Sequence, residues 1–229
     1  MNKRQGIWIG ILTLLLSIGT MITVREAFAI GEVTPTPSPM PEMSAEALNE
    51  AAVEALRSGD FERATELATQ ALEMEPDNIE SYIIRGVANT QTGRYTRAID
   101  DYTRAIELQP YDWATYTSRG DAYALMGDPG QAMIDYNYSV YLNPRYQPAF
   151  RSRAMLNALM ERDDAAQIDE LIASGLEQAS LGNIDDAIDD FTSAINLPDE
   201  PIKGLEAAYY NRALLYYTND DLDAAIDDY

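Results

Sequence analysis

The sequence predicts an all-α fold in which helical hairpins stack into an α-solenoid. A glycine followed five positions later by an alanine returns every 34 residues in the first part of the chain, at Gly59–Ala64, Gly93–Ala98 and Gly127–Ala132. A proline follows each of these motifs at the same distance, at Pro76, Pro110 and Pro144. A fixed period of this length is typical of an array of small stacked units and not of a compact enzyme core.

The N-terminus carries the pattern of an export signal, which we assign to residues 1–29. Two basic residues precede an apolar run over residues 6–24, and Ala27-Phe28-Ala29 follows as a small-x-small cleavage site. We therefore expect an exported protein, located in a periplasm, a lumen or the extracellular space. A run of this length also approaches the ~20 residues that span a bilayer. The alternative is a membrane-anchored protein in which residues 6–24 are not cleaved off.

Residues 30–44 have the composition of a proline-rich linker. Prolines alternate with other residues between Val33 and Met43, and this spacing favours extended polyproline II over a helix. We expect a semi-rigid spacer, with a ligand for a proline-binding module as the alternative.

The first repeat predicts a helical hairpin from its cap residues. Ser44 can cap a helix that ends at Gly59, since glycine suits the left-handed position after a helix. Asp60 can then cap a second helix that runs to about Glu75 and stops before the proline. The same layout follows in the next two units, at residues 79–112 and 113–146.

Small and bulky side chains repeat at fixed positions of these hairpins. The small residues are Ala52, Gly86 and Gly120 in the first helices and Ala64, Ala98 and Ala132 in the second helices. The bulky residues beside them are Tyr82, Tyr95, Tyr102 and Ile106, and then Tyr116, Tyr123, Tyr136 and Val140. With the closing prolines, this pattern resembles the tetratricopeptide repeat family. The resemblance implies a right-handed superhelix whose concave groove binds a peptide or a protein segment.

The resemblance also indicates which side chains would line such a groove. The candidates are Asn49, Val53, Ile83, Val87, Thr90, Thr117, Asp121 and Leu125 on the first helices, and Tyr210 on a later one. This mixed set would suit an extended or helical segment with some apolar anchors. Some relatives clamp the C-terminal carboxylate of a chaperone with lysine and asparagine. We do not expect that clamp here, because the groove positions hold no lysine.

The 34-residue order is interrupted after the third unit. A fourth first helix begins on time at Gln147, but the pattern of a second helix is not found after Met160. Another first helix instead begins at Ile168, with Gly175 as its small residue. The helix near residues 147–161 is therefore predicted to be unpaired.

Two arrangements would accommodate such a helix. It could cap a first array of residues 45–164, in which case a second array covers residues 165–229. Alternatively, the following helix could take the missing position and shift the parity of the array. Capping helices are common at the ends of helical arrays, so we favour the first arrangement.

Arginine and aspartate recur 16 residues apart in three of the units. The pairs are Arg85 with Asp101, Arg119 with Asp135, and Arg212 with Asp228. This spacing places the two residues on facing helices of one hairpin, where we expect a repeated ion pair because half-buried arginine normally has a partner. A row of arginines that grips a carboxylate ligand is the alternative. Arg153 has no aspartate of its own in this scheme, so we expect it either to be free or to share Asp135.

The amino-acid composition excludes several classes of function for this chain. The chain has 229 residues with no cysteine and no histidine, which excludes disulfides, the metal sites of those residues and any nucleophile that needs a histidine base. The formal charge of −22 repels nucleic acids and anionic lipid headgroups. We therefore expect a basic or neutral protein partner, no nucleic acid, and membrane contact only through an uncleaved N-terminal segment.

Pairs of acidic residues recur along the chain, at Asp163-Asp164, Asp185-Asp186, Asp189-Asp190 and Asp220-Asp221. Acids at helix starts and on solvated faces serve as caps and solubilising charge. We assign no catalytic residue, no metal site and no cofactor to them. Direct binding of calcium or a saccharide by this acidic surface is a weaker hypothesis.

The last predicted unit begins at Glu206, and its second helix begins near Leu222. The chain thus ends at Tyr229 partway through a helix, which we interpret as the truncation of a longer protein. The function that we predict is a non-catalytic protein–protein interaction scaffold outside the cytoplasm. The alternative is the regulatory or partner-binding arm of a larger enzyme.

Overall fold

The computed structural model describes residues 43–198 and 205–229, which form eleven α-helices within one compact unit. The helices are α1 (Ala45–Ser58), α2 (Phe61–Met74), α3 (Ile79–Gln91), α4 (Tyr95–Leu108), α5 (Trp113–Met126), α6 (Pro129–Leu142), α7 (Gln147–Leu159), α8 (Asp163–Leu181), α9 (Ile184–Asn196), α10 (Glu206–Thr218) and α11 (Leu222–Asp228). The predicted signal or anchor and nearly all of the proline-rich linker lie outside the described residues. Within them, no helix has both the length and the apolar character that crossing a bilayer requires.

The predicted caps of the first hairpin are confirmed. The backbone N–H of Ala47 donates to Ser44 Oγ over 3.2 Å, and the backbone N–H of Arg63 donates to Asp60 Oδ1 over 3.0 Å. Gly59 follows α1 with a φ of +79°, a conformation that glycine adopts without strain. Glycines with positive φ recur in the turns after α3, α5 and α8, so local sequence sets where these hairpins turn.

Consecutive helices pack as hairpins, α1 with α2, α3 with α4 and α5 with α6. Each hairpin packs on the next one, and α1, α3, α5 and α7 also contact one another in turn. The first helices of the hairpins therefore form one layer of the stack. The prediction of an all-α fold of stacked helical hairpins is confirmed, while the handedness of the superhelix stays a prediction.

The two helices of a hairpin approach closely where a glycine faces an aromatic ring. A Cβ atom at Gly86 would lie 2.7 Å from the ring of Tyr102, and one at Gly120 would lie 2.6 Å from the ring of Tyr136. Both rings are almost completely buried. A side chain at either glycine would therefore require the ring or the helix to move.

Helix α8 takes the position of the second helix that the sequence pattern did not predict after α7. It begins at Asp163, packs along α7 and continues to Leu181 as a single helix of 19 residues. Arg153 of α7 donates from Nε and Nη2 to Asp169 of α8, 16 residues further along the chain. The predictions that this helix is unpaired and that Arg153 lacks an aspartate of its own are therefore wrong.

The same helix is also the first helix of the next hairpin. Helix α9 packs on α8, and a Cβ atom at Gly175 would lie 2.7 Å from the ring of Phe191. The pairing of α7 with α8 escaped the sequence analysis because Ala154 and Glu170 stand where the second and third repeats have a glycine and a ring. The expected boundary after residue 164 falls inside α8, and the shared helix corresponds to the second of the two arrangements considered.

Helix α10 packs back towards the start of α7. The side-chain amide of Asn211 donates to the carbonyl of Pro144, just before α7, over 2.7 Å. Ala208 of α10 belongs to the same core cluster as Phe150 of α7. Hairpin α10–α11 begins where the sequence predicts it.

Candidate functional site

Four buried ion pairs connect facing helices. In each pair, Nε and Nη2 of an arginine donate to a carboxylate whose side chain is only 3–7% exposed, and the shortest N–O distance is 2.6–2.8 Å. The pairs are Arg85–Asp101, Arg119–Asp135, Arg153–Asp169 and Arg212–Asp228. The hydrogen bond to Asp135 raises the pKa of Arg119, and the hydrogen bond to Asp228 raises that of Arg212. We call this set the arginine ladder.

The remaining surface of each ladder arginine is also occupied. Nη1 donates to a polar side chain of an earlier second helix, namely Thr69, Thr103, Asn137 or Thr192. The guanidinium also lies 5.4–5.8 Å from the centre of a ring on its own helix, that of Tyr82, Tyr116, Phe150 or Tyr209. The predicted ion-pair ladder is therefore confirmed, and little of each guanidinium is left for a carboxylate ligand.

Two residues predicted to line the groove are buried instead. Asn49 is 1% exposed, accepts a hydrogen bond from Ser81 Oγ over 2.7 Å and donates to Asn78 Oδ1 over 3.1 Å. Thr117 is 4% exposed and donates to Ser139 Oγ over 2.8 Å. These side chains connect neighbouring helices of the stack, because Asn49 of α1 binds Ser81 of α3 and Thr117 of α5 binds Ser139 of α6.

The other predicted residues of α1, α3 and α5 are half-buried or exposed. Val53, Ile83, Val87, Thr90 and Asp121 are half-buried, and Leu125 is 58% exposed. Two exposed residues of α7 that the sequence analysis missed, Met155 and Leu159, occupy the repeat positions of Asp121 and Leu125. The 34-residue spacing could have identified both. We call these eight residues the first-helix face.

The centre of the first-helix face is polar. The hydroxyl of Tyr136 donates to Asp121 Oδ1 over 2.7 Å, and the hydroxyl of Tyr102 lies 3.4 Å from Thr90 Oγ1. Burial raises the pKa of Asp121, raises that of Tyr102 to about 12 and raises that of Tyr136. Both tyrosines belong to second helices and are among the bulky residues that the sequence pattern places beside the small ones. Their rings are indeed buried, but their hydroxyls reach polar groups of first helices.

Tyr210 lies on a different part of the stack. Its exposed ring is 6.3 Å from that of Tyr229, at an interplanar angle of 72°. Its helix, α10, packs against α8, α9 and α11. The structure thus places Tyr210 with the C-terminal hairpin, whereas the first-helix face lies on α1, α3, α5 and α7.

Acidic side chains of the described residues do not gather into a metal site. Over residues 43–198 and 205–229, no three of the aspartates and glutamates are close enough to hold one ion together. The buried aspartates bind arginine, and the paired acids at helix starts lie at the surface.

Family models of the tetratricopeptide repeat match residues 49–113 and 172–229, and a second such model matches residues 114–146. This chain belongs to the tetratricopeptide repeat family. None of the three matched segments of this tetratricopeptide repeat protein includes residues 147–171, which contain α7 and the first part of α8. No curated protein matches the chain.

Three solved structures illustrate what the chain is similar to. MamA MSR-1 C2 is 21% identical over 60% of this chain and 79% of that chain, with a TM-score of 0.52. A thermophilic TPR protein of Thermus thermophilus is 19% identical over 81% of this chain and 88% of that chain, with a TM-score of 0.48. A mutant O-GlcNAc transferase of Thermobaculum terrenum is 22% identical over 55% of this chain and 25% of that chain, with a TM-score of 0.49. Similarity at this level concerns the fold alone.

Proposed function

We propose that this tetratricopeptide repeat protein is a non-catalytic scaffold that binds a peptide or protein segment on the first-helix face, outside the cytoplasm. The observation that carries the proposal is the exposure of large apolar side chains on adjacent helices. Leu125 and Met155 are 58% and 76% exposed, Leu159 is also exposed, and half-buried Val87 lies on the preceding first helix. Apolar side chains that are exposed together mark interaction surfaces.

The chemistry of the first-helix face favours binding over reaction. Among its eight residues, Asp121 is the one titratable group, whereas general acid–base hydrolysis needs a positioned acid and base. Apolar side chains beside a few polar ones are what an extended or helical segment with apolar anchors requires. The net charge of −22 favours a basic or neutral partner.

Affinity capture tests the binding proposal. The purified protein is used as bait in an extract of its source cells, and the captured proteins are quantified by mass spectrometry. Leu125→Glu combined with Met155→Glu should abolish the capture of a specific partner, because both side chains are exposed on first helices. Met74→Glu combined with Ile134→Glu is the matched control, since it places the same two charges on exposed positions of second helices.

Circular dichroism checks that both double variants remain folded. The scaffold proposal requires at least one protein that binds to the wild type and to the control variant but not to the Leu125→Glu, Met155→Glu variant. If no such protein is found, the proposal fails.

The proposed location is tested separately. The basic start, the apolar run and the small-x-small site within residues 1–29 support export. Cell fractionation with N-terminal sequencing should recover the protein outside the cytoplasm, beginning at Ile30. Recovery of the full-length chain in the soluble cytoplasmic fraction would contradict export.

A further inference from the structure

Asp121 interrupts an apolar row on the first-helix face. The residues at the same repeat position are Val53 and Val87 on the two preceding first helices and Met155 on the following one. Asp121 is half-buried, and its carboxylate accepts a hydrogen bond from the hydroxyl of Tyr136. One carboxylate therefore lies in the middle of a surface that otherwise presents aliphatic side chains at this position.

The aspartates of the arginine ladder show what Asp121 lacks. Each of those carboxylates is neutralised by a guanidinium at 2.6–2.8 Å. None of the ion pairs that the described residues form includes Asp121. Arg151 on the neighbouring helix α7 is bound to Glu177 at 2.6 Å. Tyr136 supplies a hydrogen bond but no counter-charge.

A partly desolvated carboxylate without a counter-charge is unfavourable in its ionised form. Burial accordingly raises the pKa of Asp121. A cation supplied from outside the chain would remove this penalty. A carboxylate has about four acceptor positions, so Asp121 can keep the hydrogen bond from Tyr136 and still bind a guanidinium or an ammonium group.

We propose that Asp121 is the anchor for an arginine or lysine side chain of the segment that binds to the first-helix face. This inference rests on the proposed function and specifies the chemistry of the bound segment. The aliphatic stem of the cationic residue would lie on the apolar neighbours Val87 and Met155, and its charged head would pair with Asp121. The net charge of −22 attracts such a segment at long range, and an acidic segment would be rejected at this position.

A displayed library of random dodecapeptides tests the inference. The library is selected in parallel on the wild type and on Asp121→Asn, a variant that retains an oxygen acceptor for Tyr136. Asp100→Asn is the control, because it removes the same charge from an exposed position of α4. Peptides enriched on the wild type should share one arginine or lysine.

The shared cation is then replaced by citrulline or norleucine in synthetic peptides, and affinities are measured by fluorescence anisotropy. We expect the replacement to weaken binding about 10- to 100-fold on the wild type and on Asp100→Asn, and to have no effect on Asp121→Asn. Enriched peptides without a common cation, or an equal loss on Asp121→Asn, would overturn the inference.

The same experiment separates this inference from the proposed function. Peptides that require Leu125 and Met155 but are indifferent to Asp121 would refute the anchor and leave the scaffold intact. If no peptide binds the wild type better than the Leu125→Glu, Met155→Glu variant, the anchor and the first-helix face both fail. Circular dichroism of Asp121→Asn confirms that any loss of binding is not a loss of fold.

Discussion

Hairpin α5–α6 and the junction α7–α8–α9 both contain an arginine–aspartate ion pair and a contact between a glycine and an aromatic ring. In the hairpin both contacts join the same two helices, whereas in the junction they join different pairs of helices. In α5–α6, neighbouring residues of α6 make both contacts: Asp135 binds Arg119, and Tyr136 packs under Gly120. In the junction, the ion pair joins α7 to α8 through Asp169, and the ring contact joins α8 to α9 through Phe191.

Each junction hairpin therefore keeps one contact and replaces the other. Between α7 and α8, Ala154 and Glu170 stand at the positions of the glycine and the ring. Between α8 and α9, Ser174 stands at the position of the arginine, and its hydroxyl donates to Asp190 over 2.7 Å. One long helix can serve two hairpins because the ion pair uses its first half and the ring contact uses its second half.

The largest expected effect is on the ion pair of the junction. Asp169→Ala should lower the free energy of unfolding by about 3–5 kcal/mol, because Arg153 and Asn157 would both lose a buried acceptor. Urea denaturation measures the change. Asp100→Ala, an exposed aspartate of α4, should stay within about 0.5 kcal/mol of the wild type. If Asp169→Ala behaved like this control, the two hairpins would not be held by equivalent ion pairs.

Alkaline pH should distinguish the regular hairpins from the junction. Burial raises the pKa of Tyr102 to about 12, whereas a tyrosine of the unfolded chain ionises near pH 10. The folded state thus retains a proton that the unfolded state releases, and stability falls as pH rises from about 10 to 12. The loss from Tyr102 should reach roughly 2–3 kcal/mol. The ring at the junction, Phe191, cannot ionise.

Unfolding free energies measured between pH 8 and pH 11 test this difference. Tyr102→Phe should flatten the pH dependence, and Tyr111→Phe, at a tyrosine that is largely exposed, should leave it unchanged. An identical slope in both variants would show that the buried hydroxyl is not responsible.

Substitution of the glycines compares the ring contacts directly. Gly120→Ala and Gly175→Ala should each destabilise the protein by about 1–3 kcal/mol, since the added Cβ atom would lie 2.6 or 2.7 Å from a buried ring. Gly130→Ala is the control, because its Cβ atom would meet only the Asp128 carboxylate at 3.5 Å. Thermal unfolding should place the control at or slightly above the wild type. Tolerance of alanine at position 175 alone would mean that α8 and α9 pack more loosely than α5 and α6.

The smallest effect should come from the serine that replaces the ladder arginine. Ser174→Ala removes one hydrogen bond to a half-buried carboxylate, so a loss of about 0.5–1.5 kcal/mol is expected. Ser193→Ala, at an exposed serine of α9, provides the baseline. A loss as large as that of Asp169→Ala would mean that the hydroxyl fully substitutes for a guanidinium.

Much of the fold could be predicted from short-range patterns in the sequence. The caps Ser44 and Asp60 and the turn at Gly59 depend on a few neighbouring residues, so their positions were predicted correctly. The 16-residue spacing also predicted three of the four ladder pairs. It did not yield the pair of Arg153 with Asp169, because a second helix was recognised by its aromatic residue, and Glu170 stands at that position of α8.

The candidate site was harder to predict from the sequence than the fold. The sequence placed Asn49 and Thr117 on a groove by their repeat position, but hydrogen bonds to neighbouring helices bury both. The hydroxyls of Tyr102 and Tyr136 reach first helices from second helices. Which part of a side chain is exposed to solvent depends on the distance between neighbouring helices, and this distance cannot be derived from the position of a residue in the repeat.

The amino-acid sequence alone was enough to predict that the described residues form a stack of helical hairpins, and where most of the hairpins begin and turn. Those features follow from caps, glycines and a 34-residue period that act within one hairpin. The packing of the helices revealed that α8 belongs to two hairpins and that Asp121 forms no ion pair with another of the described residues. Both depend on which helices lie beside each other, and a local pattern cannot specify how many neighbours a helix has.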